Sequence, residues 1–203
     1  MSTSSSNLRL VIYPNVKNFI LFFDNNVNLK KQLDELLAIS FPDEFDPQNY
    51  SVPKDNDVPC TLVEQLKLLS HSNTIENDSM TSFVAYANNK LVAFAQLMRE
   101  DTRKLRLINF CRNKSNYKGV GKGILDVMYK YIQQHHLALY GIDNKLITNS
   151  NLQTPKECTI YLTVDAENKE LQNYYLSSGW TDTKNIDFRG KKPGLEYSRK
   201  VSL

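Results

Sequence analysis

Three glycines at alternate positions, Gly119, Gly121 and Gly123, occur together with Lys118 and Lys122 and lead directly into an apolar pattern of helical period. Because glycine has no Cβ, a first helical turn of this composition lets several backbone N–H groups approach an anion at the positive end of the helix dipole. The two lysines add flexible positive charges at the rim. The pattern predicts a loop that binds a pyrophosphate, and a glycine-rich turn with solvated lysines is the alternative.

Two common phosphate-binding loops are excluded by the spacing. A Walker A loop requires a glycine where this chain has Asn116, and a Ser or Thr after the Gly-Lys pair where it has Gly123. A Rossmann turn requires the spacing G-x-G-x-x-G, whereas these glycines alternate. The loop is therefore of another kind.

A second pattern lies in residues 161–180, YLTVDAENKELQNYYLSSGW. An apolar strand is followed by Asn168, a residue type that favours the N-cap of a helix. Leu171, Tyr174 and Tyr175 then share one helical face, and Gly179 ends the helix. The segment predicts a strand, a short helix and a stop in that order.

Taken together, the two patterns resemble the GNAT acetyltransferase superfamily. In that family the pyrophosphate loop has the sequence Arg/Gln-x-x-Gly-x-Gly/Ala, and KGVGKG matches it with Lys118 in the first place. The hairpin-like FVAYANNKLVAFAQL is also similar to the family's second and third strands, so the resemblance covers about residues 81–180. The later family pattern matches Val164, Asn168, Tyr174-Tyr175 and Gly179-Trp180.

The resemblance implies an enzyme that transfers an acetyl group from acetyl-CoA, its co-substrate, directly to an amine, with no metal. Backbone N–H groups at the end of the third strand are then expected to polarise the thioester carbonyl. Tyr175 is the expected catalytic acid, because an oriented phenol can protonate the leaving thiolate. The residues expected to bind the coenzyme are Cys111, Arg112, Asn113, Lys118, Gly119, Val120, Gly121, Lys122, Gly123, Ile124 and Asn168.

The sequence departs from the family pattern at three points. Lys118 replaces the usual Arg or Gln, and CRNKSNY is about one residue longer than usual and lacks Val-x-Pro. The third strand, 104–111, has no Glu where many relatives place a general base. Glu100 and Asp165 are alternatives at strand ends, although each is more typical of a solvated carboxylate. The base is therefore unassigned.

The acceptor is left open by clues that oppose each other. Acidic residues between the first two helices favour a cationic amine, whereas basic residues in the last loop favour an acidic or phosphorylated acceptor. Two other functions remain: a non-catalytic acyl-CoA-binding regulatory domain, and a nucleic-acid-binding module that uses the basic glycine loop. The acidic residues are Asp43, Glu44, Asp46, Asp55 and Asp57, and the basic ones are Arg189, Lys191 and Lys192.

The elements that must position these residues can be predicted in part. The β-rich runs LRLVIY and FILFF each fit the first strand, and NLKKQLDELLAI and CTLVEQLKLLSHS each fit an amphipathic helix. Residues 82–100 predict a hairpin around Asn88-Asn89, and residues 104–111, 158–164 and the C-terminal end predict further strands. The fold expected from the resemblance is α+β, a mostly antiparallel twisted sheet of about six or seven strands flanked by helices.

Composition limits the class of protein. The 203 residues predict a single domain over residues 8–203 after a disordered Ser-rich tail, residues 1–7. A net charge of +3 is too small to favour nucleic-acid or membrane-surface binding. Three widely spaced cysteines match no metal site and are typical of reduced intracellular thiols, and no apolar run is long enough to cross a bilayer. We therefore expect a cytoplasmic or nuclear protein.

Overall fold

The computed structural model describes residues 8–14, 16–40, 80–100, 103–112, 119–139, 156–187 and 193–203. The helices in these ranges are α1 (Val16–Asp24), α2 (Val27–Ser40), α3 (Val120–Leu139) and α4 (Lys169–Ser177). The strands are β1 (Leu8–Tyr13), β2 (Met80–Ala87), β3 (Lys90–Arg99), β4 (Lys104–Arg112), β5 (Glu157–Asp165), β6 (Thr181–Asp187) and β7 (Gly194–Ser202).

The strands form one seven-stranded sheet in the order β1-β2-β3-β4-β5-β7-β6. β4 and β5 pair in parallel, an arrangement that requires a long connection between the two strands, and this connection contains α3. The pairs β1–β2, β5–β7 and β6–β7 are antiparallel. The mixed sheet with its helices confirms the predicted α+β class. No helix in the described ranges has the length and apolar character needed to cross a membrane.

The hairpin of β2 and β3 confirms the prediction made from Asn88-Asn89. Both asparagines have positive φ, 51° and 62°. This is the conformation of the tight two-residue turns that match the twist of paired strands. Asparagine tolerates it better than most residues, so two neighbouring asparagines between apolar runs are a strong signal.

The chain is divided into two compact units. The first contains Met1–Gln96 and Asn109–Met128, and its core includes Phe19, whose ring centroid lies 4.7 Å from that of Phe23 and 5.6 Å from that of Phe94. The second contains Leu97–Ile108 and Tyr129–Leu203, and its buried core includes Ile160, Leu162, Tyr175, Trp180 and Tyr197. The predicted single domain over residues 8–203 stays a prediction, and the predicted tail, residues 1–7, lies outside the described residues.

Two expectations about the elements were wrong or incomplete. FILFF is part of α1, not a strand: Phe19 and Phe23 are fully buried one helical turn apart, while Leu21 is 51% exposed. A run of five apolar residues fits both periods, and burial of positions i and i+4 decides for the helix. β6, TDTKNID, was not predicted, because it is polar and half of it is exposed. The helix predicted over residues 60–72 lies outside the described residues.

Candidate functional site

The start of α3 is the predicted phosphate-binding turn. Gly119 precedes the helix with φ +82°, a left-handed conformation in which a side chain is strained. The N–H of Gly123 donates to the carbonyl of Gly119 at 2.9 Å, which is the first helical hydrogen bond. The N–H groups of Val120, Gly121 and Lys122 come before that bond and so have no partner within the helix. The turn thus has the backbone geometry for binding an anion.

Space around the turn is consistent with this role. A Cβ built on Gly119 or Gly123 would meet no described atom within 4 Å. The side chain of Lys122 is 77% exposed, and its Nζ lies 2.7 Å from Asp126 Oδ2, one turn along the helix. Asp126 therefore offsets part of the charge of Lys122. Lys118 and Asn113 lie outside the described residues.

Apolar side chains fix the direction of α3. Val120, Ile124, Leu125, Met128 and Ile132 are all buried and recur at helical spacing. This face anchors the helix in the core, so its first turn is held in place. Ile124 therefore has a packing role, and its predicted contact with the coenzyme stays a prediction.

The end of β4 carries Cys111 and Arg112, also predicted to lie at the coenzyme. The pairing of β4 with β5 covers Lys104–Arg106 and Thr159–Tyr161, and β4 continues six residues beyond it to Arg112. Cys111 is buried, in keeping with a packing role for its thiol. The strand thus ends at Arg112, one residue after the buried Cys111.

Tyr175, the predicted acid, is in the second unit, in the last turn of α4. It is 3% exposed, and its ring meets those of Trp180 and Tyr174 edge to face, with centroids 5.5 Å and 5.4 Å apart. Its carbonyl accepts a hydrogen bond from the Trp180 N–H at 3.1 Å, across the turn that Gly179 makes with φ +83°. The ring is therefore held rigidly. A catalytic role for its hydroxyl stays a prediction.

Asn168 caps α4, as the sequence predicts. Its Oδ1 accepts a hydrogen bond from the Leu171 N–H at 3.0 Å. The buried Gln172 donates from Nε2 to the carbonyls of Asp165 and Ala166, at 3.1 and 2.9 Å, and so joins the first turn of α4 to the end of β5. The Oδ1 atom of Asn168 is thus engaged in capping. The predicted contact of Asn168 with the coenzyme stays a prediction, and it would have to use the backbone or the side-chain Nδ2.

Both alternatives for a general base are engaged elsewhere. Glu100 accepts from the Arg106 guanidinium, which also bonds Glu196 at 3.3 Å and lies 3.9 Å from Asp187. Burial disfavours the charge on Arg106, but the hydrogen bonds that Arg106 donates to Glu100 and Glu196, together with their negative charges, outweigh burial and raise the Arg106 pKa. Asp165 is exposed, and its Oδ1 accepts from the Glu167 N–H at 2.8 Å. Both carboxylates thus accept hydrogen bonds from the protein, and a role as general base stays a prediction for either.

Sequence reasoning missed a row of hydrogen-bonded polar side chains in the first unit, formed by the buried Ser82 and Gln96 and the half-buried Asn109. Gln96 and Asn109 interrupt otherwise apolar strand sequences, AFAQLM and RLINFC, which is the one signal available. Their contact depends on strand register, which the sequence does not specify. Within the described ranges no group of three or more His, Cys, Asp and Glu residues is arranged to hold a metal ion.

The fold is shared with solved acetyltransferases. A GNAT-family acetyltransferase from Staphylococcus aureus Mu50 superposes with a TM-score of 0.58 and 19% identity, over 96% of this chain and 99% of that one. An acetyltransferase from Streptococcus agalactiae 2603 gives 0.57 and 16%, over 97% and 98%. An acyl-CoA N-acyltransferase from Pseudomonas aeruginosa gives 0.54 and 13%, over 95% and 99%. No protein-family model and no curated protein matches the sequence.

The resemblance to the GNAT superfamily is thereby confirmed at the level of the fold: this protein has the fold of the GNAT acetyltransferases. The similarity extends over nearly the whole chain, including the N-terminal strand and helices that the sequence motifs do not cover. At such low identity it carries no residue assignments, because a fold supports many activities and function depends on the site.

Proposed function

We propose that this protein is an N-acetyltransferase that moves an acetyl group from acetyl-CoA directly to an amine. The observation that carries the proposal is the first turn of α3. There, in a chain with the GNAT fold, three N–H groups precede the first helical hydrogen bond, and no atom of the described residues lies within 4 Å of a Cβ built on Gly119 or Gly123. A pyrophosphate matches this arrangement, because it is an anion that several backbone N–H groups can bind together.

In this proposal, groups of the protein bind the donor substrate, polarise its carbonyl and protonate the leaving group. The N–H groups of Val120, Gly121 and Lys122 bind the pyrophosphate of the donor substrate. Backbone N–H groups at the end of β4, from Cys111 onward, polarise the thioester carbonyl. Tyr175 donates its proton to the thiolate that leaves. Acetyl-CoA supplies the activated acetyl group.

The acceptor is an amine, for which the names of the fold relatives give general support: one is an acyl-CoA N-acyltransferase and another is an aminoglycoside 6'-acetyltransferase. The acidic and basic clusters that gave opposing clues all lie outside the described residues. The choice between a small molecule and a protein amine therefore rests on assay.

Binding is tested by thermal unfolding with increasing acetyl-CoA. A ligand that binds only the native state, at about 100 times its dissociation constant, stabilises the protein by roughly 2.7 kcal/mol. For a chain of this size that raises Tm by about 5 to 10 °C. No shift at millimolar acetyl-CoA would exclude both the enzyme and the acyl-CoA sensor.

Turnover separates those two functions. Wild-type protein is incubated with acetyl-CoA and a panel of polyamines, lysine peptides, peptide N-termini and amino sugars, and release of the CoA thiol is followed. The enzyme releases thiol with at least one amine. Binding of acetyl-CoA without thiol release across the panel would favour the regulatory domain.

A further inference from the structure

The polar row of the first unit links three neighbouring strands. From β4, Asn109 Nδ2 donates to Gln96 Oε1 on β3 at 2.9 Å. Gln96 Nε2 donates in turn to Ser82 Oγ on β2 at 3.1 Å. Gln96 and Ser82 are 0% and 1% exposed, whereas Asn109 is only half-buried. The row therefore runs from the interior of the sheet to a partly accessible end.

Burying a glutamine side chain at this position costs free energy unless both ends of its amide are hydrogen-bonded. The neighbouring residues Phe94, Ala95 and Leu97 are all buried and apolar, so an apolar side chain at position 96 would pack without any need for partners. Gln96 is tolerated because both ends of its amide are hydrogen-bonded. A satisfied polar row of this kind fixes the orientation of its members.

The member whose orientation matters is Asn109. Because its Nδ2 donates to Gln96, its Oδ1 is the atom of this half-buried amide that can accept a further hydrogen bond. Asn109 lies two residues before Cys111, where the carbonyl-polarising backbone is expected. β4, KLRLINFCR, contains no carboxylate. An oriented amide oxygen thus occurs on the strand that has no acidic residue to serve as a base.

We propose that Asn109 Oδ1 accepts a hydrogen bond from the N–H of the acceptor amine and aligns the amine with the thioester, and that Gln96 is the positioning residue that holds Asn109 in this orientation. This inference rests on the proposed acetyl transfer and adds a condition on its substrate. The acceptor must react as a neutral amine that keeps an N–H to donate, that is, a primary or secondary amine.

The reaction balances without a protein base. The lone pair of the neutral amine forms the C–N bond to the acetyl carbon, and the C–S bond breaks with its electron pair on sulfur. The thiolate takes one proton, and the attacking nitrogen releases its surplus proton to water. Asn109 accepts only a hydrogen bond, since a carboxamide does not take up a proton near neutral pH. The products are the N-acetyl amine and CoA.

The test is a double-mutant cycle on the full-length protein, with the amine that the wild type turns over best. Asn109→Ala is expected to lower kcat/KM for the amine about 5- to 10-fold, the effect of one neutral hydrogen bond, and to leave the acetyl-CoA dissociation constant unchanged. Gln96→Met keeps the volume and removes both polar atoms, and it should lower kcat/KM for the amine in the same direction. The double variant should lose no more than Asn109→Ala alone, because Gln96 acts through Asn109.

Ser82→Ala is the matched control at the buried end of the row. It leaves the bond between Gln96 and Asn109 in place, so it should lower Tm but change amine kcat/KM less than about 2-fold. Asn109→Ala alone removes the donor of the buried Gln96 and could therefore fail to fold. In that case the double variant, in which position 96 has no polar group, is compared with Gln96→Met instead.

Each outcome decides a different point. A wild type that binds acetyl-CoA and acetylates no amine overturns the proposed function and this inference with it. A wild type that acetylates an amine while Asn109→Ala keeps full kcat/KM overturns only the inference. A loss that appears in Tm or in acetyl-CoA affinity instead of amine kcat/KM would show that the row is purely structural. Losses that multiply in the double variant would show that Gln96 does not act through Asn109.

Discussion

Gly123→Val separates binding by backbone from binding by side-chain charge at the start of α3. A Cβ at this position would meet no described atom within 4 Å, so the substitution should not strain the protein. Valine is also a slightly better helix former than glycine, and we expect Tm to stay within about 2 °C of wild type. The γ-methyls would instead fill the space through which an anion reaches the N–H groups.

The expected loss of affinity follows from the bonds blocked. One hydrogen bond to a charged group contributes about 1.5 to 3 kcal/mol, so Gly123→Val should weaken acetyl-CoA binding roughly 10- to 100-fold. Gly123→Ala is the matched control: it adds only a methyl group, should raise Tm by about 1 to 4 °C through helix propensity, and should keep most of the affinity. Lys122→Ala removes a charge that is 77% exposed and paired with Asp126, and we expect an effect of about 2-fold.

Isothermal titration calorimetry of the three variants with acetyl-CoA, together with thermal unfolding, measures all of these quantities. A larger loss for Lys122→Ala than for Gly123→Val would refute the reasoning, because the turn would then bind through side-chain charge. A large drop in the Tm of Gly123→Val would refute the premise that the space beside the glycine is open.

Three further changes test other parts of the account. Tyr175→Phe should keep the ring packing and acetyl-CoA affinity and lower kcat roughly 10- to 1,000-fold, with Tyr174→Phe as the control; full kcat in both variants would mean that another group protonates the thiolate. Asn168→Ala removes the N-cap bond to Leu171 and should lower the free energy of unfolding by about 1 kcal/mol in urea titrations, and an unchanged value would contradict the capping role. Arg106→Met leaves Glu100, Glu196 and Asp187 without their shared cation and should destabilise by about 3 to 5 kcal/mol, so a loss below about 1 kcal/mol would show that the cluster is well solvated.

Local chemistry explains which elements could be predicted. The Asn88-Asn89 turn, the N-cap at Asn168 and the stop at Gly179 each depend on one or two residues whose backbone preferences are strong, and all three are confirmed. The strand predicted over residues 158–164 is also confirmed, as part of β5, which pairs in parallel with β4. Signals of this kind depend little on the rest of the molecule.

Elements whose identity depends on distant contacts were harder to predict. FILFF fits a strand as well as a helix until burial of Phe19 and Phe23 on one face decides between them. β6 is polar, and it is a strand because it pairs with β7, across an irregularity that includes Lys184 at φ 66°. Tertiary pairing overrides the weak local preference of such a segment.

In the candidate site, too, features set by local sequence could be predicted and features set by distant contacts could not. The glycine turn could be found in the sequence because the function proposed for it depends on missing side chains at fixed spacing. The hydrogen bonds of Asn109 and Gln96 could not, since these residues are thirteen positions apart and meet only through strand register. The role of Tyr175 followed from family resemblance alone, and it stays a prediction.

The central claim is direct acetyl transfer from acetyl-CoA to an amine, and the most direct measurement is the product balance by mass spectrometry. Wild-type protein, acetyl-CoA and the best amine of the panel are incubated, and CoA, N-acetyl amine and intact protein are quantified at successive times. We expect CoA and N-acetyl amine in equal amounts and an unchanged protein mass throughout. CoA released without acetylated amine, or an acetyl group accumulating on the protein, would contradict the account.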